Sequence, residues 1–215
     1  MRTLEELIDE SDPGMQRIQE WIAAATVHVE ILPPSDQREQ VLLDVQVTTR
    51  STMGAIAYET GGIVVDDGWL RFLGSGHPSF TRTLPAWNQG RSHGFYLIAD
   101  DAIGGFFSIN GGKLGEDFGN VYYLAPDDLE WEPLEIGYTD LFHIAVTGGL
   151  SDFYRDLRWT SWQADARRLA RDRCFFFYPF LWTAEGSIAK STRNDVPASE
   201  AFDLKNDLFQ QFSGD

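Results

Sequence analysis

Between Phe95 and Leu124 the chain reads FYLIADDAIGGFFSINGG, then a polar stretch, then GNVYYL. Short apolar runs cut by glycines and acidic residues are the pattern of a small antiparallel sheet. On that pattern Phe95–Ala99, Gly105–Ile109 and Val121–Leu124 are strands. Asp100 and Asp101 turn the chain after the first and Gly111–Gly119 after the second, while Asp127 and Asp128 turn it toward Trp131.

The flanking sequence supplies helices and one clear hairpin. Thr3 caps a short helix over Leu4, Leu7 and Ile8. Asp12 and Pro13 open a second, with Ile18, Trp21, Ile22 and Ala25 on one face. Thr26–Leu32 reads as a strand ended by Pro33 and Pro34. Ser35 starts a third helix carrying Val41, Leu42 and Val45 inward, and Met53–Glu59 is a further turn stopped by Gly61 and Gly62. Ile63–Val65, the turn Asp66-Asp67-Gly68 and Trp69–Leu73 form a hairpin whose two-sided apolar pattern predicts cover on both faces. Gly74–Gly94 reads as a long excursion pinned by Phe80, Leu84 and Trp87.

Beyond the sheet, Tyr138–Val146 is a helix stopped by Gly148 and Gly149, Ser151 caps another, and Ser161–Arg173 is a third. Cys174–Trp182, CFFFYPFLW, is an aromatic strand broken by Pro179 and belongs in a core or an interface. The segment Asn194–Ser199 is polar, and a short helix with Phe202, Leu204, Leu208 and Phe209 follows. One domain over 1–215 is expected, with a core of about 1–150 and an extension of about 151–215.

Charge sets limits on partners. Seventeen basic against 33 acidic residues leave −16, which opposes a surface that tracks nucleic-acid phosphates and favours a basic protein partner. The single cysteine, Cys174, rules out an internal disulfide. The start MRTLEELIDESDPG lacks the apolar core of a signal peptide, and no run approaches the ~18 apolar residues of a membrane span, so no membrane insertion and a cytoplasmic setting are expected.

Reactive groups are sparse. His28, His77, His93 and His143 lack metal-pair spacing, and neither a metal nor a cofactor is expected. No serine sits in GxSxG, and Cys174 precedes aromatic residues as a buried inert thiol would. The pairs Asp66–Asp67, Asp100–Asp101 and Asp127–Asp128 read as turn chemistry rather than catalytic carboxylates. GGK at Gly111–Lys113 fails as a phosphate loop, because Phe107 stands where the first glycine belongs and Leu114 follows the lysine. Arg167, Arg168, Arg171 and Arg173 read as a solvated helix face with acidic partners.

GAIAYETGGIVVDDGWLRFLGSG (Gly54–Gly76) and YLIADDAIGGFFSINGG (Tyr96–Gly112) resemble the bacterial family DUF2625 over almost the full length. More distantly, the Gly61–Gly62 pair, the run Ala99–Ile109, the later Gly119–Leu124 and the helix at Tyr138–Ala145 resemble the SUKH superfamily. That likeness implies an α+β fold, an antiparallel sheet flanked by helices, and a binding rather than enzymatic role, immunity proteins included. The stretch Gly74–Gly94 and the extension after Leu150 lie outside that core.

Three functions follow as expectations. One is a protein-binding module, of immunity type or otherwise, that meets a basic partner through Glu130, Trp131, Glu132, Glu135 and Asp140. Another is an enzyme with a site beside the Gly74–Gly94 loop built from His77, His93 and Asp100. The third is an assembly role for the Phe175–Trp182 strand.

Overall fold

A computed structural model describes residues 1–213. Helices α1 (Leu4–Leu7) and α2 (Gly14–Ala23), strand β1 (Val29–Leu32), and helices α3 (Arg38–Val45) and α4 (Thr52–Glu59) come first. Then follow β2 (Gly62–Val65), β3 (Leu70–Leu73), α5 (Leu84–Asn88), β4 (Phe95–Asp101), β5 (Phe106–Asn110), β6 (Val121–Leu124) and β7 (Trp131–Pro133). The chain ends with α6 (Tyr138–Val146), α7 (Leu150–Phe153), α8 (Trp162–Arg168), β8 (Arg173–Tyr178), β9 (Thr192–Pro197) and α9 (Ala198–Ser213).

Strands β1 to β7 form one antiparallel sheet in strict chain order, and β8 pairs with β9 beside it. The fold is α+β, a central antiparallel sheet flanked by helices. Its best-defined turn is the expected one. Asp66 and Asp67 take left-handed backbone (φ 53° and 62°), a conformation aspartate tolerates because its short side chain bonds locally. The glycine pair has a steric cause: a Cβ on Gly62 (φ +144°) would lie 2.7 Å from the Phe80 ring.

One row of register partners crosses the whole sheet: Glu30, Val64, Arg71, Asp100, Phe106, Leu124 and Trp131. Directly opposed residues share a face, so this face is charged toward β1 and aromatic toward β7. Phe202 of α9 packs on its Phe106 and on Trp87 of α5, with ring centroids 5.0 and 6.1 Å apart. The opposite face carries Phe72, Ala99, Phe107 and Tyr123. There Phe72 meets Tyr138 and Phe142 of α6, Phe142 meets Trp21 of α2, and Tyr123 meets Phe153 of α7. Cover on both sides explains why every residue of β2 and β3 is buried, as the hairpin's pattern predicts.

Several expectations need correction. Asp100 and Asp101 are the last two residues of β4, both fully buried, and the chain turns at 102–105; only Asp101 shows the expected turn chemistry, its carboxylate accepting the N–H groups of Ile103 and Gly105. Distant arginines pair with Asp100, which turn propensity cannot foresee. The polar segment at Asn194 lies in β9, which completes a hairpin with the aromatic β8. The helix expected over Ser161–Arg173 spans only Trp162–Arg168, because Leu169 adopts extended backbone. Ser35 precedes α3 rather than starting it; its hydroxyl donates to the Ser75 carbonyl (2.5 Å). Ser151 lies inside α7, after an N-cap at Gly149. The Gly74–Gly94 excursion is pinned by buried Phe80, Leu84 and Trp87 as expected, and it carries α5.

Candidate functional site

The charged half of the row is consumed internally. Asp100 is fully buried, with one oxygen 2.6 Å from Arg71 Nε and the other on Arg82. The Arg71 Nε–H does not point along its contact, so that pairing acts as charge attraction rather than as a hydrogen bond. The remaining Arg71 nitrogens donate to the carbonyls of Asp101 and Arg173 (2.5 Å each), and Arg82 donates to Asp172 and to the Arg171 carbonyl (2.9 Å each). This carboxylate is a strut joining β3, β4, the Gly74–Gly94 loop and β8. Fully buried with both oxygens against guanidiniums, it is not exposed to a substrate.

Asp101 closes the other face. Its Oδ1 accepts the N–H groups of Ile103 (3.1 Å) and Gly105 (2.7 Å), and its Oδ2 accepts the hydroxyls of Tyr123 (2.6 Å) and Tyr154 (3.0 Å). Burial pushes its carboxyl above the usual range against the pull of these four donors. The same burial, with the Asp101 charge, pushes both tyrosine hydroxyls well above theirs. Gly105 is required here, since a Cβ would sit 2.2 Å from the carboxylate. On α9, Lys205 is 1% exposed, donates to the Ala125 carbonyl and lies 5.7 Å from the Trp182 ring. Burial draws its ammonium down to about 7, partly offset by the charge of Asp101.

The aromatic end of the row opens into a cleft of about 820 Å³ between the sheet and α9. Phe95, Leu114, Trp131 and Phe209 give it apolar walls; Arg91, His93 and Lys113 line it with polar heads, and Glu130 and Asn206 also border it. Phe95 and Trp131 rings pack 5.5 Å apart.

Two buried asparagines build the cleft's loops. Asn88 accepts the Leu97 N–H (2.7 Å) and donates to the Leu97 carbonyl (2.8 Å), pinning the loop that carries Arg91 and His93 to β4. Asn110 accepts the N–H groups of Gly112 and Leu114 and donates to the Gly115 carbonyl, shaping the loop that carries Lys113. The Gly94 carbonyl then accepts from Gly111 (2.9 Å) and Lys113 (3.0 Å), joining the two loops.

Of the expected partner surface, Trp131 and Glu130 line this cleft, and Glu132, Glu135 and Asp140 are exposed on the chain that follows. Asp140 also accepts the Gly137 N–H at the start of α6 (3.3 Å). The expected catalytic trio divides differently. His93 lines the cleft, whereas His77 bonds Ser79 (2.8 Å) and Asp100 is closed by arginines; neither of the latter borders the cleft.

His28 is exposed with its Nδ1 3.7 Å from Asp67, and His143 lies edge-on to the Trp21 ring. Cys174 is buried, which pushes its thiol up to about 12. Arg167 pairs with Asp67, Arg171 with Glu30 and Arg173 with Asp195, the acidic partners that the charge excess implies. Among the described residues no group of three or more His, Cys, Asp or Glu is placed to hold a metal ion, and no helix is long and apolar enough to cross a membrane. Arg91 and the two asparagines escaped the sequence reading, which takes Phe95 only as a strand residue and sets Lys113 aside with the failed phosphate loop. The signal that could have found them is asparagine at strand or helix ends before glycine-bearing loops.

A family model described as "Protein of unknown function DUF2625" matches residues 4–201. The chain is 41% identical over 217 residues to the uncharacterised protein YbfG of Escherichia coli (strain K12), covering 99% of this chain and all of that one. It is 38% identical over 189 residues to an uncharacterised protein of Haemophilus influenzae (strain ATCC 51907 / DSM 11121 / KW20 / Rd), covering 84% and 83%. No solved structure matches significantly.

Proposed function

The chain belongs to the DUF2625 family, and from that premise we propose that it is a single-domain, non-enzymatic protein-binding module of the cytoplasm that engages a basic partner. The observation that carries this reading is the setting of Trp131. It stands half-buried on the edge strand β7, at an open cleft, with exposed Glu130, Glu132, Glu135 and Asp140 on the same stretch of chain. An aromatic anchor inside a charged rim is how tight interfaces divide their work, the ring supplying affinity and the carboxylates steering a basic surface in. The complete burial of Asp100 and Asp101 supports binding over chemistry, and the helix-flanked antiparallel sheet supports kinship with SUKH-like immunity proteins.

The test is affinity retention at low salt from native lysate, run in parallel with the charge-reversed variant E130K/E132K/E135K/D140K. A basic protein held by the wild type, released by salt and missed by the folded variant is the expected result. Retention that ignores the four charges, or no retained protein at all, overturns the proposal. An assembly role has one observation in its favour, the 70% exposure of Tyr178 on β8; a second copy bound through that strand would appear as a dimer mass lost in Tyr178→Glu.

A further inference from the structure

The cleft also carries basic groups, which the basic-partner reading does not use. In a chain of net charge −16, it gathers Arg91, His93 and Lys113 around an apolar interior. We propose that it is a binding site for an amphipathic organic anion, a single carboxylate on an aromatic or aliphatic body, independent of the protein-partner reading.

The donor set is available. Among the described residues Lys113 and His93 form no ion pair; Arg91 gives only its Nε to Asp203 (3.1 Å), keeping its terminal nitrogens clear of that contact. The Arg91 guanidinium is held in place by stacking on Trp87, 4.7 Å from the ring centroid. A fixed guanidinium and an ammonium that line the same cleft both suit a carboxylate.

The body of the ligand has an equally defined place. Phe95, Leu114, Trp131 and Phe209 enclose apolar space, and about 820 Å³ lies within the ~300–1,000 Å³ that small-molecule sites occupy. The rim is open at Gly90, where a Cβ would meet no atom within 4 Å. Preformation comes from Asn88, Asn110 and the Gly94 carbonyl, which fix both donor loops before any ligand arrives and so lower the ordering cost of binding. Glu130 borders the same space and repels a second negative charge, which selects against polyphosphates and dicarboxylates.

Isothermal titration of the full chain with naphthalene-2-carboxylate and with decanoate tests this, against naphthalene-2-carboxamide and glutarate as controls. Saturable binding of a carboxylate probe, at least tenfold tighter than the carboxamide and than glutarate, is the expected result. Lys113 is exposed, so Lys113→Glu keeps the fold and lowers carboxylate affinity at least tenfold while leaving the carboxamide unchanged. Trp131→Ala weakens acid and amide alike. Equal binding of acid and amide, an unaltered affinity in Lys113→Glu, or no saturation by either carboxylate up to millimolar concentration overturns the proposal.

Discussion

Asp100 and Asp101 are neighbours in the chain, both fully buried, and they point to opposite faces of β4. Two arginines close the first; two tyrosine hydroxyls and two backbone amides close the second. The strand's alternation puts them back to back, so the sheet is anchored on both sides at one point along its length.

Asp100→Asn removes the counter-charge of Arg71, itself 1% exposed, while Arg82 keeps Asp172. An uncompensated buried guanidinium costs ~3–5 kcal/mol. The double change Asp100→Leu with Arg71→Met is expected to cost less than Asp100→Asn alone, because it buries no orphan charge. Urea midpoints at constant m-value measure both.

At Gly105 the obstacle to alanine is space. A Cβ there would lie 2.2 Å from the Asp101 carboxylate and 2.3 Å from the Tyr123 hydroxyl, so Gly105→Ala breaks the knot and costs at least the ~1–3 kcal/mol typical of overpacking. Gly90→Ala is the control. Its positive φ of 75° carries a strain of ~1 kcal/mol, but no atom stands in the way. Thermal midpoints should rank the two in that order.

Lys205 and Asp101 impose opposite pH dependences. The Lys205 ammonium titrates near 7 when folded, against ~10.4 when unfolded. Between those values the unfolded chain binds the extra proton, so this contribution to stability rises with pH, by at most ~1.4 kcal/mol per unit. Asp101 is raised on folding, so its contribution is greatest below ~4 and declines as pH climbs through its folded value. Lys205→Met should flatten the alkaline rise and stabilise the protein at neutral pH, and Asp101→Asn should flatten the acidic decline. Denaturation curves from pH 4 to 10 read both limbs.

Ending the chain at Leu150 tests the division into a core of about 1–150 and an extension. Arg71 would lose the Arg173 carbonyl, Asp101 the Tyr154 hydroxyl and Phe106 the Phe202 ring. The shortened chain is expected to melt without a sharp transition and to bind a hydrophobic dye. A cooperative melt would show that residues after 150 are an independent addition.

The sequence revealed what local chemistry decides: the Asp66–Gly68 turn and the apolar runs of β4 to β6, and it marked Cys174 as buried. It concealed what distant residues decide. Asp100 reads as a turn residue because the arginines that pair with it, Arg71 and Arg82, lie far back in the chain, and Asp101 because two of its donors, Tyr123 and Tyr154, lie far ahead. Strand β9 reads only as a polar stretch because TRNDVP gains its order from pairing with β8. In the candidate site, Trp131 and Glu130 were visible as an acidic patch around an aromatic. Their basic counterparts were not, since Arg91 and Lys113 meet only through loops that Asn88 and Asn110 fold.

A sheet whose strands pair strictly with their sequence neighbours also carries a timetable. Each strand finds its mate among residues already synthesised, so the sheet can grow from β1 to β7 in the order of synthesis. The segment that covers Arg71 and Asp100 comes last, after α8. Between zipping and capping the nascent chain would display a naked salt-bridged surface, and that interval is where a chaperone would have work to do.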